Sequence, residues 1–246
     1  MLNLLEISMK ENELDIMKCE HVIESTVFET SPVDLLHDAT DYLLFDFVDD
    51  LMDGKIIYKI VELFHRIIDR FKELVNDVKT KFYIKKLQFM KNNKNDFDHY
   101  IAYDDRIERA RDICNNFNKQ VGNLKFNDKD FDAKFDDIYT KSKKQFDDCI
   151  GQEISSKKIK ACDAADATLK NIESCQRVIK DIENSTAKST RTINNIHVRN
   201  SNLSEEKARK RNIISKITTF NAGCANFISQ HPFQQMIRMF PDDAEH

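Results

Sequence analysis

The stretch IIYKIVELFHRIIDRFKELVNDVKTKF, residues 56–82, decides the fold class, because its apolar residues recur with a helical period. One series alternates steps of four and three residues, which is a heptad pattern. Ile60, Ile67 and Leu74 add a third apolar position to each heptad, so two or more neighbouring helices could cover the stripe. We predict that this series forms a core stripe: Ile57, Val61, Phe64, Ile68, Phe71, Val75, Val78 and Phe82.

The same period returns along the rest of the chain. Apolar residues at helical spacing, in steps of three and four or multiples that keep the same face, occur in four further segments: 100–121, 131–149, 162–196 and 214–227. Only 4 Gly and 3 Pro occur among 246 residues, so turns should be few and helices long. We predict an all-α fold, an elongated bundle of three to five long amphipathic helices with coiled-coil-like packing.

Three divisions of the chain follow from this pattern. Residues 1–54 are predicted to be an acidic amino-terminal helical arm, residues 55–231 the helical bundle, and residues 232–246 a carboxy-terminal tail. The last bundle helix should stop at His231-Pro232, because proline disfavours helix in the residue before it. The seam of the helix before it turns polar at 185–192, so that half packs loosely, faces solvent or breaks. The tail carries an apolar patch that we predict to contact a partner: Phe233, Met236, Ile237 and Phe240.

Charge is distributed in blocks. Residues 1–54 contain 14 acidic and 2 basic residues, whereas residues 55–94 contain 11 basic and 4 acidic ones. An acidic arm would be attracted to basic blocks within one molecule or between neighbours. Two basic stretches, one interleaved with aromatic residues, are candidate nucleic-acid contacts: Lys79, Lys81, Lys85, Lys86, Lys207, Arg209, Lys210 and Arg211. A helix whose lysines extend to the surface produces the same pattern.

The sequence carries no catalytic or metal signature. The segment 128–139 resembles a calcium loop but has Ala133 where the loop needs glycine and Tyr139 where it needs glutamate. The neighbouring carboxylates Asp104 and Asp105 would point about 100° apart on a helix and form no acid/base pair. The 6 cysteines form no CxxC pair, which favours small buried thiols. We therefore predict a protein that is not an enzyme and has no catalytic residue, metal or cofactor.

The stretch DGKIIYKIVELFHRIIDRFKELVNDVKTKFYIKKLQF, residues 53–89, and the acidic element EHVIESTVFE, residues 20–29, together resemble a class of proteins. These are helical virion structural proteins of large tailed bacteriophages, and the resemblance covers about residues 15–95. It implies a capsid-associated or internal head protein in the virion, assembled in the host cytoplasm, whose partners are other virion proteins or copies of itself.

Two alternatives stay open beside this expectation. The first is a basic helical protein that binds nucleic acid. The second is a protein with a membrane-surface helix at 55–90, although the mixed charges on its polar face suit water better than lipid. We find no run of about 18 uncharged residues and no signal-peptide pattern, so we expect neither a transmembrane helix nor a signal peptide.

Overall fold

The structure, a computed structural model, describes residues 55–126, 128–151, 157–195 and 203–240. Most residues in these ranges are helical, which confirms the all-α prediction in its coarse form. The described elements are six helices and two short strands: α1 (Lys55–Asn76), α2 (Val78–Asn92), β1 (Tyr100–Tyr103), α3 (Arg106–Gly122), α4 (Phe131–Gly151), β2 (Lys157–Lys160), α5 (Ala161–Asn194) and α6 (Leu203–Met239). The predicted acidic arm, residues 1–54, lies outside the described residues. Within the described ranges, no helix is long and apolar enough to cross a membrane.

The stripe of residues 56–82 is divided between two helices. α1 ends at Asn76 and α2 begins at Val78, with Asp77 between them. The Asp77 carboxylate accepts a hydrogen bond from the backbone N–H of Thr80 (3.0 Å), which satisfies one of the free donors at the start of α2. An aspartate inside the heptad pattern thus acts as an N-cap, and the heptad series is interrupted there.

The buried face of α1 is therefore shifted from the predicted series. Phe64 and Phe71 are buried as predicted, but Val78 is 51% exposed and does not belong to the core. The other predicted stripe residues are half-buried: Ile57, Val61, Ile68, Val75 and Phe82. The remaining buried apolar residues of α1 are Ile56, Ile60 and Ile67. Three apolar positions per heptad define a wide stripe without defining its centre, which explains the shift.

α6 is the central helix of the described fold. It packs against α1, α3, α4 and α5, and every residue from 220 to 233 is buried. A helix covered on all sides is usually apolar all round, yet α6 buries Asn221, Asn226 and Gln230. Buried amides normally find hydrogen-bond partners inside the protein. Gln230 donates to the Asn226 side-chain oxygen within α6 (3.3 Å), whereas Asn221 finds its partners on α3 and α5.

The prediction that the last helix stops at His231-Pro232 is wrong, because α6 continues through Pro232 to Met239. Proline has no N–H, so the carbonyl of Ile228, four residues earlier, lacks its helical donor. The Cys175 thiol on α5 lies 3.7 Å from that carbonyl oxygen and donates to it. Burial raises the pKa of Cys175 to about 12, so the thiol keeps the proton that it donates. The predicted boundary between residues 231 and 232 falls inside a helix.

α5 remains helical through its polar seam. The prediction offered loose packing, solvent exposure or a break at 185–192, but the helix is continuous and Thr186 and Thr190 are fully buried. The Thr186 hydroxyl donates to the Ile182 carbonyl (2.8 Å) and accepts from the Asn221 amide of α6 (2.8 Å). The polar seam of α5 therefore packs against the polar face of α6.

β1 and β2 form a two-stranded antiparallel ribbon in segments where the sequence pattern predicts helix. Tyr100 pairs with Lys160, and Tyr103 pairs with Lys157. The helical period extends through residues 100–103 into α3, and residues 157–160 continue without Gly or Pro into α5. Each strand is only four residues long and is stabilised by the other, so neither leaves a local period that would distinguish it from helix.

Candidate functional site

Asp104 lies where β1 passes into α3 and forms the centre of a buried ion cluster. β1 ends at Tyr103 and α3 begins at Arg106, so the backbone changes direction within two residues. The Asp104 side chain has no exposed surface. Because a buried carboxylate is costly without hydrogen bonds and opposite charges, the residues around it must supply both.

Arg106 binds Asp104 from the same turn. Its Nε lies 2.8 Å from Oδ1 and 3.0 Å from Oδ2, and its Nη2 lies 2.6 Å from Oδ2. The backbone N–H of Arg106 also donates to Oδ1 (3.1 Å). The remaining terminal nitrogen, Nη1, donates to the Ile150 carbonyl (3.0 Å) at the end of α4. This planar, charge-assisted pair therefore ties the start of α3 to the end of α4.

α6 completes the cluster from one of its faces. His231, Gln235 and Arg238 are spaced by four and three residues, so they lie above one another on the helix. Arg238 Nη1 donates to Asp104 Oδ2, and His231 Nε2 lies 3.3 Å from the same oxygen. The Gln235 side-chain oxygen accepts from the Asp104 backbone N–H (3.3 Å). Two of these three contacts exist only because α6 continues beyond Pro232.

The electrostatics of the cluster keep Asp104 ionised. Burial alone would raise the pKa of Asp104, but the neighbouring His231 and the hydrogen bonds from Arg106 outweigh it and hold the pKa well below its usual range. The hydrogen bonds to Asp104 in turn raise the pKa of Arg106. A general acid or base needs a pKa near the working pH. This pair is therefore suited to fastening α3, α4 and α6 together and not to proton transfer.

The cluster is hard to predict from the sequence because its members are far apart in the chain. Asp104 and Asp105 adjoin in the sequence, but in the structure their carboxylates have separate partners, and Asp105 pairs with Arg109 one turn along α3 (3.3 Å). Arg238 lies 134 residues from Asp104. The signal that could have revealed the cluster is the helical spacing of His231, Gln235 and Arg238, which the proline between them conceals.

A second buried polar group joins α3, α5 and α6. The side-chain amides of Asn118 and Asn221 exchange two hydrogen bonds, each of 2.9 Å. Cys114 Sγ lies 3.4 Å from the Asn221 side-chain oxygen Oδ1 and donates to it, while the Asn221 side-chain nitrogen Nδ2 also donates to the Thr186 hydroxyl. Both the donors and the acceptor of Asn221 are therefore used inside the core.

A surface cavity of about 310 Å³ lies next to this second group, between the carboxy-terminal parts of α3 and α5. Its walls carry amide and hydroxyl groups such as those of Asn115, Asn118 and Ser185. The ionisable residues of its lining are Lys119 and Lys188. Two lysines do not make an acid/base pair, so the described lining of the cavity offers no such pair.

The predicted nucleic-acid contacts on α2 are only partly available. Tyr83 is buried and stacks on Phe240, with 5.4 Å between ring centroids, and Phe82 is covered by Lys86, whose Nζ lies 4.8 Å from the ring centroid. Of the predicted lysines on α2, Lys81 and Lys85 are exposed. The other two, Lys79 and Lys86, are half-buried. Phosphate contact by these lysines stays a prediction, but Tyr83 is buried and Phe82 is half-buried, so neither ring is fully presented to a base.

The second basic stretch is largely occupied by intramolecular contacts. Arg209 Nε lies 2.8 Å from both carboxylate oxygens of Asp132 on α4, and its guanidinium covers the ring of Phe126 at 4.3 Å. Lys210 is buried and its Nζ pairs with Glu206 (2.8 Å). The other two predicted residues are half-buried: Lys207 and Arg211. Arg209 and Lys210 would lose these partners if they bound a phosphate.

The predicted partner-contact patch packs within the chain. Phe233 and Met236 are buried, and the Phe233 ring lies 5.6 Å from that of Phe71 on α1. Ile237 and Phe240 are half-buried. Because α6 continues past Pro232, these residues cover α1 and α2 and do not form an exposed tail.

The cysteines agree with the prediction of small buried thiols as far as the described residues extend. The five described cysteines are all free and buried: Cys114, Cys149, Cys162, Cys175 and Cys224. Cys19 lies outside this part of the chain. Among the side chains described, no group of three or more His, Cys, Asp or Glu could hold a metal ion.

We compared the chain with known proteins by sequence and by structure. No family model matches it, and no curated protein or solved structure matches it either.

Proposed function

We propose that this chain is a non-enzymatic structural protein of a virus particle, a capsid-associated or internal head protein that acts through protein–protein contacts. In this proposal the helices form an elongated bundle with coiled-coil-like packing. The resemblance of residues 15–95 to helical virion proteins supports it. The observation that carries it is the enclosed Asp104 cluster, which uses ionisable and amide side chains to fasten elements together.

These ion pairs suit a protein that must keep its shape while it contacts neighbouring proteins. The Asp104–Arg106 pair joins the start of α3 and the end of α4 to the last turns of α6, and Arg209 and Lys216 join the first half of α6 to Asp132 and Asp136 of α4. Ion pairs therefore hold α6 towards both of its ends, while its centre is buried. We infer that the chain is a preassembled rigid unit and not a segment that folds on its partner.

The outer surface offers charges for contacts with other proteins. Lys81 and Lys85 are exposed on α2, and neither forms an ion pair with a described carboxylate. The first 54 residues carry a large excess of acidic residues. Opposite charges on different copies would attract one another and set their orientation, which matches a protein used in many copies.

The proposal is tested by locating the chain in particles. Virus particles released from the cells that encode the chain are purified on a density gradient, and each fraction is analysed by quantitative mass spectrometry. We expect the chain to follow the shell protein across the gradient at a constant ratio, including after a high-salt wash. Recovery of the chain only in the particle-free fractions would refute a structural role in the virion.

A further inference from the structure

The outer face of the β1–β2 ribbon carries an exposed tyrosine beside two lysines. Antiparallel pairing places Tyr100 opposite Lys160 and Ala102 opposite Lys158. Directly opposite residues share one side of a sheet, and successive residues alternate between its sides. All four side chains are exposed, with Tyr100 at 65%. Tyr103, which faces the other side, is buried.

The inner side of the ribbon is fixed to the helices. The Tyr103 hydroxyl donates to Glu108 of α3 (3.0 Å) and accepts from Asn171 of α5 (3.4 Å). Next to the ribbon, the backbone N–H of Ala161 donates to the His99 carbonyl (2.9 Å). The outer face is thus presented on a base that helices hold in place.

We propose that this outer face binds single-stranded nucleic acid, with the Tyr100 ring stacking on a base and Lys158 and Lys160 contacting phosphates. Residues two apart on a strand are about 7 Å apart, which is similar to the separation of neighbouring phosphates in an extended single strand. Ala102, two residues further along the same face, is exposed and has a small side chain. Exposed aromatic rings combined with cations along the backbone are the recurring design of sequence-tolerant single-strand binding.

The exposed tyrosine distinguishes this face from the two predicted basic stretches of α2 and α6. On α2, Tyr83 is buried and Phe82 and Phe89 are half-buried, so its aromatic rings are less available for stacking than Tyr100 is. A duplex keeps its bases stacked and hides their faces, whereas a single strand exposes them. The occupant that we propose for the ribbon is therefore a single strand and not a duplex. This activity is separate from the proposed structural role and does not depend on it.

The local charge limits the affinity and offers a way to raise it. Lys157 is exposed at the end of the ribbon and adds positive charge, but Asp98 and Asp163 are exposed just outside the two strands. Each carboxylate repels a phosphate backbone. The variant Asp98→Asn should therefore bind a single strand more tightly than the unaltered chain, and the gain should shrink as salt is added.

The experiment measures fluorescence anisotropy of a labelled oligothymidylate with the full chain over a series of salt concentrations. We expect Tyr100→Ala to weaken binding about 5-fold or more, because it removes one stacking contact. Tyr58→Ala is the matched control, since Tyr58 is an exposed aromatic residue on α1, 71% accessible, and should have no effect. The double variant Lys158→Gln, Lys160→Gln should lower the slope of log K against log salt by about 1.4, which is about 0.7 for each phosphate that is no longer neutralised.

Four outcomes would overturn the proposal: no binding by the unaltered chain at low salt, equal affinity for a duplex, equal effects of Tyr100→Ala and Tyr58→Ala, or displacement of the oligonucleotide by polyglutamate of the same charge. The variant Lys81→Gln, Lys85→Gln separates the ribbon from α2, and a loss confined to that variant would place binding on the helix. All of these side chains are exposed, so circular dichroism should show every variant folded.

Discussion

Replacing Asp104 by asparagine tests the buried cluster with almost no change in shape. The amide keeps one acceptor oxygen, but it turns an N–H₂ group towards a guanidinium that also donates. Arg106, whose side chain is 9% exposed, is left with most of its charge uncompensated. Arg238 is 37% exposed and can turn towards water. We therefore expect Asp104→Asn to weaken the attachment of the end of α6 to α3 and α4.

The size of the effect follows from which partners can escape. Removing one member of a buried ion pair costs about 3–5 kcal/mol. We take the lower value, about 3 kcal/mol, because Arg238 regains hydration and Arg106 keeps its hydrogen bond to the Ile150 carbonyl. For a chain of 246 residues, 1 kcal/mol corresponds to roughly 2–4 °C in Tm. The expected loss in Tm is therefore about 6–12 °C.

Urea titration followed by circular dichroism gives the free energy of unfolding, and a thermal scan gives the Tm. Asp105→Asn is the matched control, because Asp105 is the adjacent residue and forms a partly exposed pair with Arg109. It should cost no more than about 1 kcal/mol. If both variants lowered the Tm equally, or if Asp104→Asn left it within about 2 °C of the unaltered chain, the buried cluster would not hold α6 and our account of it would be refuted.

Three further results are expected from the same structure. The folded-state pKa of Asp104 is depressed, so its contribution to the free energy of unfolding is full above the pKa of an unfolded aspartate, about 3.9. This contribution is lost as the pH falls below that value. The difference in urea midpoint between Asp104→Asn and the unaltered chain should therefore be present at about pH 6 and reduced at about pH 3. Asp77→Ala removes the N-cap of α2 and should cost about 1 kcal/mol, whereas Asp77→Ser should retain most of the stability in a urea titration. Cys175→Ala leaves the Ile228 carbonyl without its donor and should lower the free energy of unfolding by about 1–3 kcal/mol. Cys175→Ser should recover part of this loss. Equal losses in the two variants would show that packing and not hydrogen bonding is responsible.

The helical class could be predicted from the sequence, because a recurring period survives small errors in phase. α3 ends at Gly122 and α4 at Gly151, and these two ends could also be predicted because glycine is a poor helix former. The break at Asp77 was predictable in principle, since aspartate is a strong N-cap, but an unbroken apolar stripe concealed it. Predicting that Pro232 lies inside α6 would have required knowing that the thiol of Cys175 could replace the missing donor. That knowledge depends on tertiary contacts and not on local sequence.

The buried polar residues were the least predictable part, and they also penalise alternative packings of the helices. Apolar stripes of similar period can pack against one another in more than one register, because a shift by one helical turn brings another apolar residue into the same place. A shift of α6 by one turn would separate Asn221 from both Asn118 and Thr186, and the same shift would move Arg238 away from Asp104. Each separation would leave buried donors and acceptors without partners, which costs more than the apolar contacts gain. The two clusters contact α6 at different positions along its length, and a shift of one turn would break both, so both penalise that alternative register.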